Sequence, residues 1–390
     1  IGGENRDSGS SLIDKIVNPA KLDHKKSSQT CGQCHSITVL SESDSQHWQG
    51  HGFRFRPGQD LSDSRVVVQP DDVENSADLQ ELVRHSPEFM DDRFWSDGMV
   101  RVTGREYNGM IKSPCYLKGE LSCLSCHDLH PPASDPRPLK EWANDQLKYG
   151  MSGNKACLQC HAEIGEDLTA HTHHAPDSDG SRCYNCHMPP TTYGLLKAAH
   201  SHQIDSPNLK SSLPAGRPNA CNMCHLDKSL GWADRQLVEL FGRESADLTD
   251  TQRNVPASII WALQGDAGQR ALMAWAFGWK PAQKASGVDW QGKILATLLN
   301  DPYDVVRFIA KRSLKLLPGF HEFRFDFVGS SNTRETASRD ALRMWELRRE
   351  EAQQSLDLSE MFKATPAGSV QDVLSKLLNN RDDRRVELAE

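Results

Sequence analysis

The chain has 390 residues, a formal charge of −8 and a mean hydropathy of −0.61, enough length for two or three domains. The acidic balance argues against a sequence-blind grip on nucleic acid, which needs clustered Lys and Arg to displace counterions. No apolar run approaches the roughly 18 to 20 residues of a membrane span, so the chain is not expected to be membrane-spanning.

In chain order, Ile1-Gly2-Gly3-Glu4 offers neither an initiator Met nor a basic-then-apolar leader, and reads as the start of a mature or truncated chain. Eleven cysteines follow, and ten of them fall into five Cys-x-x-Cys pairs, each pair followed at once by His. The five are Cys31-Gly-Gln-Cys34-His35, Cys123-Leu-Ser-Cys126-His127, Cys157-Leu-Gln-Cys160-His161, Cys183-Tyr-Asn-Cys186-His187 and Cys221-Asn-Met-Cys224-His225. This is the spacing of c-type haem attachment. Two thiols three residues apart add to the two vinyl groups of one porphyrin, and the adjacent imidazole is held under the iron as its proximal ligand. Structural zinc is the rival reading, but it gathers four ligands tetrahedrally and has no need of a His after every second Cys. The motifs therefore imply five c-type haems. Because such attachment is made outside the cytoplasm, they also imply a periplasmic, extracellular or cell-surface location.

The motifs occupy a first segment, residues 1–228, with about 40 residues of chain to each, too few to build a core around every one. The porphyrins are expected to be the core, lying in near contact. The fold class is mainly α: short helices in this haem-packed segment, interrupted at Pro131-Pro132, Pro189-Pro190 and 212–218, then a helical segment.

That second segment, 229–325, nearly lacks His and Cys and carries apolar residues at helical spacing. Its clearest predicted helix opens at Asp301-Pro302, runs through Val305, Val306, Ile309, Leu314 and Leu317, and stops at Pro318-Gly319. Leu263, Asp266, Arg270 and Ala274 anticipate Leu299, Asp301, Arg307 and Ala310 at a separation of about 36 residues, which points to stacked helix pairs of the HEAT type. An ordinary bundle with coincidental similarity is the alternative. Amphipathic stretches at 341–345 and 370–378 predict a C-terminal helical arm over 326–390.

Sixteen histidines include the five of the motifs, and each iron needs a sixth ligand or an open position. His130, His171, His174 and His202 are the favoured distal ligands, with His24, His51 and His85 as further candidates. His173 is read as hydrogen-bonded or exposed, and His130, so close behind His127, as serving a neighbouring site. Met188 and Met223 read as packing. Cys115, the leftover thiol, reads as a buried small hydrophobe, a redox-active group near the second motif, or an intermolecular crosslink.

The stretch from Cys183 through Met188-Pro189, His202-Gln203-Ile204 and Pro207 to His225 resembles the last two haem sites of the pentahaem cytochrome c nitrite reductase and hydroxylamine oxidoreductase superfamily. That resemblance implies a distal role for His202 and haems packed in parallel and perpendicular pairs. The whole layout resembles multihaem cytochromes with C-terminal HEAT or tetratricopeptide repeats. Those reductases usually ligate the catalytic iron through Cys-x-x-Cys-Lys, whereas all five motifs here end in His, and Ser36-Ile37-Thr38 replace the Tyr that follows a reductase site.

The expected function is electron transfer between redox partners, other redox proteins or cytochromes, with assembly into a homo-oligomer or haem filament as an extension. The alternative is an oxidoreductase of a small nitrogen or sulfur species at one open iron, with Arg101, Arg105, Tyr107 and the His171 cluster as its raw material. No catalytic residue is assigned.

Overall fold

The computed structural model describes residues 16–351, 361–362, 369–384 and 386. The expectations placed on residues 1–4 and on the remainder of the C-terminal arm lie outside these. The fold is mainly α, 52% helix against 5% strand, and the two halves of the chain reach that class differently.

Among the described residues up to 228, helices are short. His24–Gly32, which carries Cys31, Glu42–His51 and Ala77–His85 have nine or ten residues, and the helices at the last three motifs, Lys155–Leu158, Cys183–His187 and Ala220–Cys224, have four or five. Two antiparallel strand pairs accompany them, β1 (Thr38–Val39) with β2 (Val66–Val67) and β3 (Thr192–Gly194) with β4 (Lys197–Ala199). The β3–β4 hairpin turns on Leu195 and Leu196, both at positive φ (48° and 60°), the left-handed geometry of a primed two-residue turn. Leucine adopts it at a cost, and Arg312 from the helical half donates to the Leu196 carbonyl and so holds the tip.

Of the helices described beyond residue 228, seven frame this half: α1 (Leu230–Phe241), α2 (Ala257–Leu263), α3 (Ala267–Ala276), α4 (Gln291–Leu298), α5 (Asp304–Leu314), α6 (Ser331–Glu351) and α7 (Val370–Asn379). Their ends follow local chemistry. Ser229 accepts from the Trp232 N–H to open α1, and Gly242, at a φ of 61°, closes it. Asp266 and Gln269 cap α3 reciprocally. Helix α2 packs on α3 and α4 on α5; α3 lies against α5, α2 against α4, α6 against α4 and α7 against α2. Two adjoining helix hairpins are thereby bracketed by the C-terminal helices.

The helix expected to open at Asp301-Pro302 opens at Asp304 instead, with Tyr303 as its cap, and ends at Leu314. Arg307 Nη1 donates to the Asp301 and Pro302 carbonyls, the acceptors that a first turn begun at Asp301 would use. The Asp301 carboxylate accepts the Tyr303 N–H at 2.9 Å and pairs with Arg270 Nε at 2.7 Å. Both partners of this ion pair are almost fully buried, at 1% and 2% exposure. Arg270 also donates to the Gly265 and Asp382 carbonyls, so the cation is satisfied in several directions, as burial of a charge requires.

One buried apolar cluster runs from Ile37, Val68, Phe94, Trp95 and Val102 through Tyr193 into α1–α7. Helix α3 packs on β3 and β4. Gly268 permits that approach, because a Cβ there would meet Arg101 Nη2 at 2.6 Å and the Tyr193 ring at 2.7 Å. Arg101 then reaches Asp266 at 2.8 Å in a buried pair that ties the halves together.

The stretch from Leu117 to Thr191 is built otherwise. Between those positions the buried side chains are Trp142, Ser181, Asn185, Pro189 and Pro190, one large apolar side chain across three motifs. A chain segment of that length does not order itself around one tryptophan.

Candidate metal centres

Each Cys-x-x-Cys-His motif closes a single helical turn. His35, His127, His161 and His225 donate their backbone N–H to the carbonyl of the first Cys of their own motif at 2.9–3.0 Å, and the fourth motif is itself the helix Cys183–His187. A turn so closed places the first Cys and the His, four residues apart, on one face.

Opposite three of the motif imidazoles stands a second imidazole. The ring centres of His127 and His202 are 6.4 Å apart, those of His171 and His187 6.1 Å, and those of His174 and His225 6.1 Å, with interplanar angles of 25°, 13° and 30°. Two imidazoles that shared a metal, each by a bond of about 2 Å with about 1.1 Å from nitrogen to ring centre, would have ring centres roughly 6.2 Å apart, so each of the three pairs would have room for one.

Burial lowers the pKa values of His187, His202 and His225, which keeps each ring neutral with a lone pair free for a metal. The Nδ1 atoms of His127, His187, His202 and His174 meet the carbonyls of Asp145, Asp205, His200 and Thr172. Such outer contacts fix the tautomer that presents Nε2 to a metal.

The turn at His173 explains how one tetrapeptide, His171 to His174, reaches two motifs. Asp167 caps the helix Leu168–Thr172, and His173 ends it at a φ of 55° with its ring against Phe241 of α1. The left-handed residue reverses the chain between His171 and His174, so the two rings diverge toward different motifs.

His35 and His161 enter no such pair among the described residues. His35 Nδ1 donates to Glu106 Oε2 at 2.9 Å, and that bond raises the His35 pKa. His161 is exposed. Of the other histidines named from the sequence, His130 is exposed and faces no motif ring, and His85 turns back to the Glu81 carbonyl of its own helix. His51 is exposed, its ring 5.1 Å from that of His47. His24 lies edge-on to Tyr116 with Nε2 buried and unpartnered. Met223 is fully buried and Cys115 half-buried.

The motifs adjoin one another in sequence order. The first-motif helix packs on the Cys123–Ser125 turn. Gln159 of the third motif donates to the Ser125 carbonyl of the second. Asn154, just ahead of the third, accepts from the Cys183 N–H of the fourth at 3.0 Å, and the helices of the fourth and fifth pack together. Thiols follow the same order, Cys31 hydrogen-bonding with Cys123 and Cys157 with Cys183. Within each pair the bond draws one thiol down to about 7 and pushes its partner up.

Does a porphyrin fit these residues? Among the described residues no group of three or more His, Cys, Asp or Glu side chains converges on one point. A porphyrin-held iron asks the protein for only two axial nitrogens. The buried polar atoms without a partner include Asn185 Oδ1 and Asn222 Oδ1, within the fourth and fifth motifs, and His24 Nε2, on the helix that carries Cys31. Together with the near-absence of apolar filling around the middle three motifs, the donor set and its spacing suit haem.

Sequence reasoning passed over Glu106 and Asn154, whose roles depend on contacts 71 and 29 residues away. The Arg101 suggested as catalytic raw material is instead committed to Asp266. Compared with family models, curated proteins and solved structures, the chain matches none. Among the described residues no helix is long and apolar enough to cross a membrane.

Proposed function

We propose that the chain is a multihaem c-type cytochrome that carries electrons through five covalently attached haems. The observation that carries this reading is the placement of His202, His171 and His174 opposite the motif histidines His127, His187 and His225 at trans-ligand spacing. The haem irons would supply one-electron chemistry. Cys31 and Cys34, Cys123 and Cys126, Cys157 and Cys160, Cys183 and Cys186, and Cys221 and Cys224 would hold the porphyrins, with the adjoining histidines as proximal ligands. Adjacency of the motifs in sequence order gives a line of centres with the first and fifth at its ends, and two ends suit a carrier between partners. The α2–α5 hairpins would form a HEAT-like stack presenting a surface for a redox partner or a second copy. Covalent attachment places the work in the periplasm or at the cell surface.

The test is haem content by pyridine haemochrome with EPR of the oxidised protein. Five haems, at least three of them low-spin, are expected. A protein exported through a working haem-attachment system that carries none would end the reading.

A second reading, reduction or oxidation of a small nitrogen or sulfur species, draws on one observation: His35 and His161 face no second imidazole among the described residues, so either site is a place for an open iron. A high-spin EPR signal together with turnover of nitrite, hydroxylamine or tetrathionate would favour it, and an all-low-spin spectrum with no turnover would remove it.

A further inference from the structure

The motif histidines differ in what holds their second nitrogen. His127 and His187 donate Nδ1–H to backbone carbonyls, of Asp145 at 3.1 Å and Asp205 at 2.9 Å. His35 donates to a carboxylate, Glu106 Oε2, at 2.9 Å. Glu106 is itself anchored. Its Oε1 accepts the Gly104 N–H at 2.8 Å, it opens the helix Glu106–Met110, and the next residue, Tyr107, donates its backbone N–H to the His35 carbonyl at 3.0 Å. The Tyr107 ring lies so close to Gly32 that a Cβ there would meet it at 2.9 Å. Glu106 is thus held against the first motif by the Tyr107 backbone bond and packed ring, and its carboxylate is steadied by the Gly104 N–H. Its far side faces a cavity of about 10 Å³ shared with Arg105, His200 and His202, room for roughly one water. Arg105 spends an Nη1 donor on the Gly104 carbonyl.

A carbonyl dipole and a full negative charge act differently on a ligating imidazole. The carboxylate draws more strongly on the Nδ1 proton and makes Nε2 a better donor, and its charge adds directly to the stabilisation of the more positive, oxidised iron. Resting on the haem reading above, we propose that Glu106 is a positioning residue for the first centre. It fixes the His35 tautomer and holds that centre's reduction potential below those of the centres at His127 and His187. The line of haems would then carry a built-in bias, with its most reducing member at the end where the first motif lies.

The experiment is Glu106→Gln in the full-length, haem-loaded protein, read by haem count, spectroelectrochemical titration and EPR. Glutamine keeps an acceptor but removes the charge. We expect five haems, with one potential raised by an amount equal to about a tenfold change in that haem's oxidised-to-reduced ratio, close to 59 mV for one electron, and a smaller rise at the centre of His127, whose facing His202 shares the cavity with Glu106. The larger EPR change should fall on the first haem. The larger shift should vanish, leaving only the smaller one, when Glu106→Gln is made in a background with Cys31→Ala and Cys34→Ala, which lacks the first haem. Five haems with unchanged potentials would overturn the proposal and leave the haem reading intact, whereas a wild-type protein without haem would sink that reading first. If Gln at 106 blocks loading of the first site, Glu106→Asp decides: the charge sits on a shorter arm, so a smaller upward shift supports the proposal and none refutes it. A merely structural role for Glu106 would appear as lost thermal stability with no change in any potential.

Discussion

Two stretches of similar length show what holds each half of the molecule together. In α2 to α5 every helix buries apolar side chains against its neighbours: α3 alone buries Ala271, Leu272, Met273, Ala274 and Ala276, and its one buried cation is paired with Asp301. Between Leu117 and Thr191, with three Cys-x-x-Cys-His motifs, Trp142 is the one large apolar side chain that is buried. The helical stretch is held by the burial of its own apolar surface. The motif stretch has too little of it to offset the entropy of ordering its backbone, and on the proposed reading would take its order from haems attached to its cysteines.

The largest effect expected from this contrast is on the full-length chain produced without haem attachment. Hydrogen exchange should show complete, rapid exchange across 117–191 while α2–α5 stay protected. Strong protection of 117–191 in that protein would break the comparison. Arg270→Ala should act only on the other side of it. It leaves the Asp301 carboxylate buried and unpaired, so a loss of about 3–5 kcal/mol is expected in denaturant unfolding of the helical half, with the haem count unchanged.

Smaller effects separate neighbouring residues. His171→Ala should convert one low-spin haem signal to high-spin, and His174→Ala a different one, while His173→Ala should change neither, because His173 meets Phe241 rather than a motif ring. The smallest is Ser229→Ala, which removes the acceptor for the Trp232 N–H at the start of α1 and should cost about 1 kcal/mol in thermal unfolding, with no spectral change.

What could be read in advance follows the range of the interactions. The mainly helical class and the motif turns are set within four or five residues, by spacing alone, and both were legible. Which imidazole faces which motif was not, because it depends on the left-handed turn at His173 and on chain returning from as far as His202. The start of α5 shows the same limit. Asp301-Pro302 has the composition of a helix opening, but the Asp301 carboxylate pairs with an arginine 31 residues upstream, Arg307 takes the Asp301 and Pro302 carbonyls, and the helix begins at Asp304. Glu106 carried no local signal either, since its partner His35 lies 71 residues away.

The central claim is that the five motifs each hold a covalent haem, and the intact mass of the exported, denatured protein tests it most directly. The expected mass is that of the chain plus five haems, unchanged by thiol reductant. The mass of the bare chain, or one shifted only by disulfides that reductant removes, would contradict it.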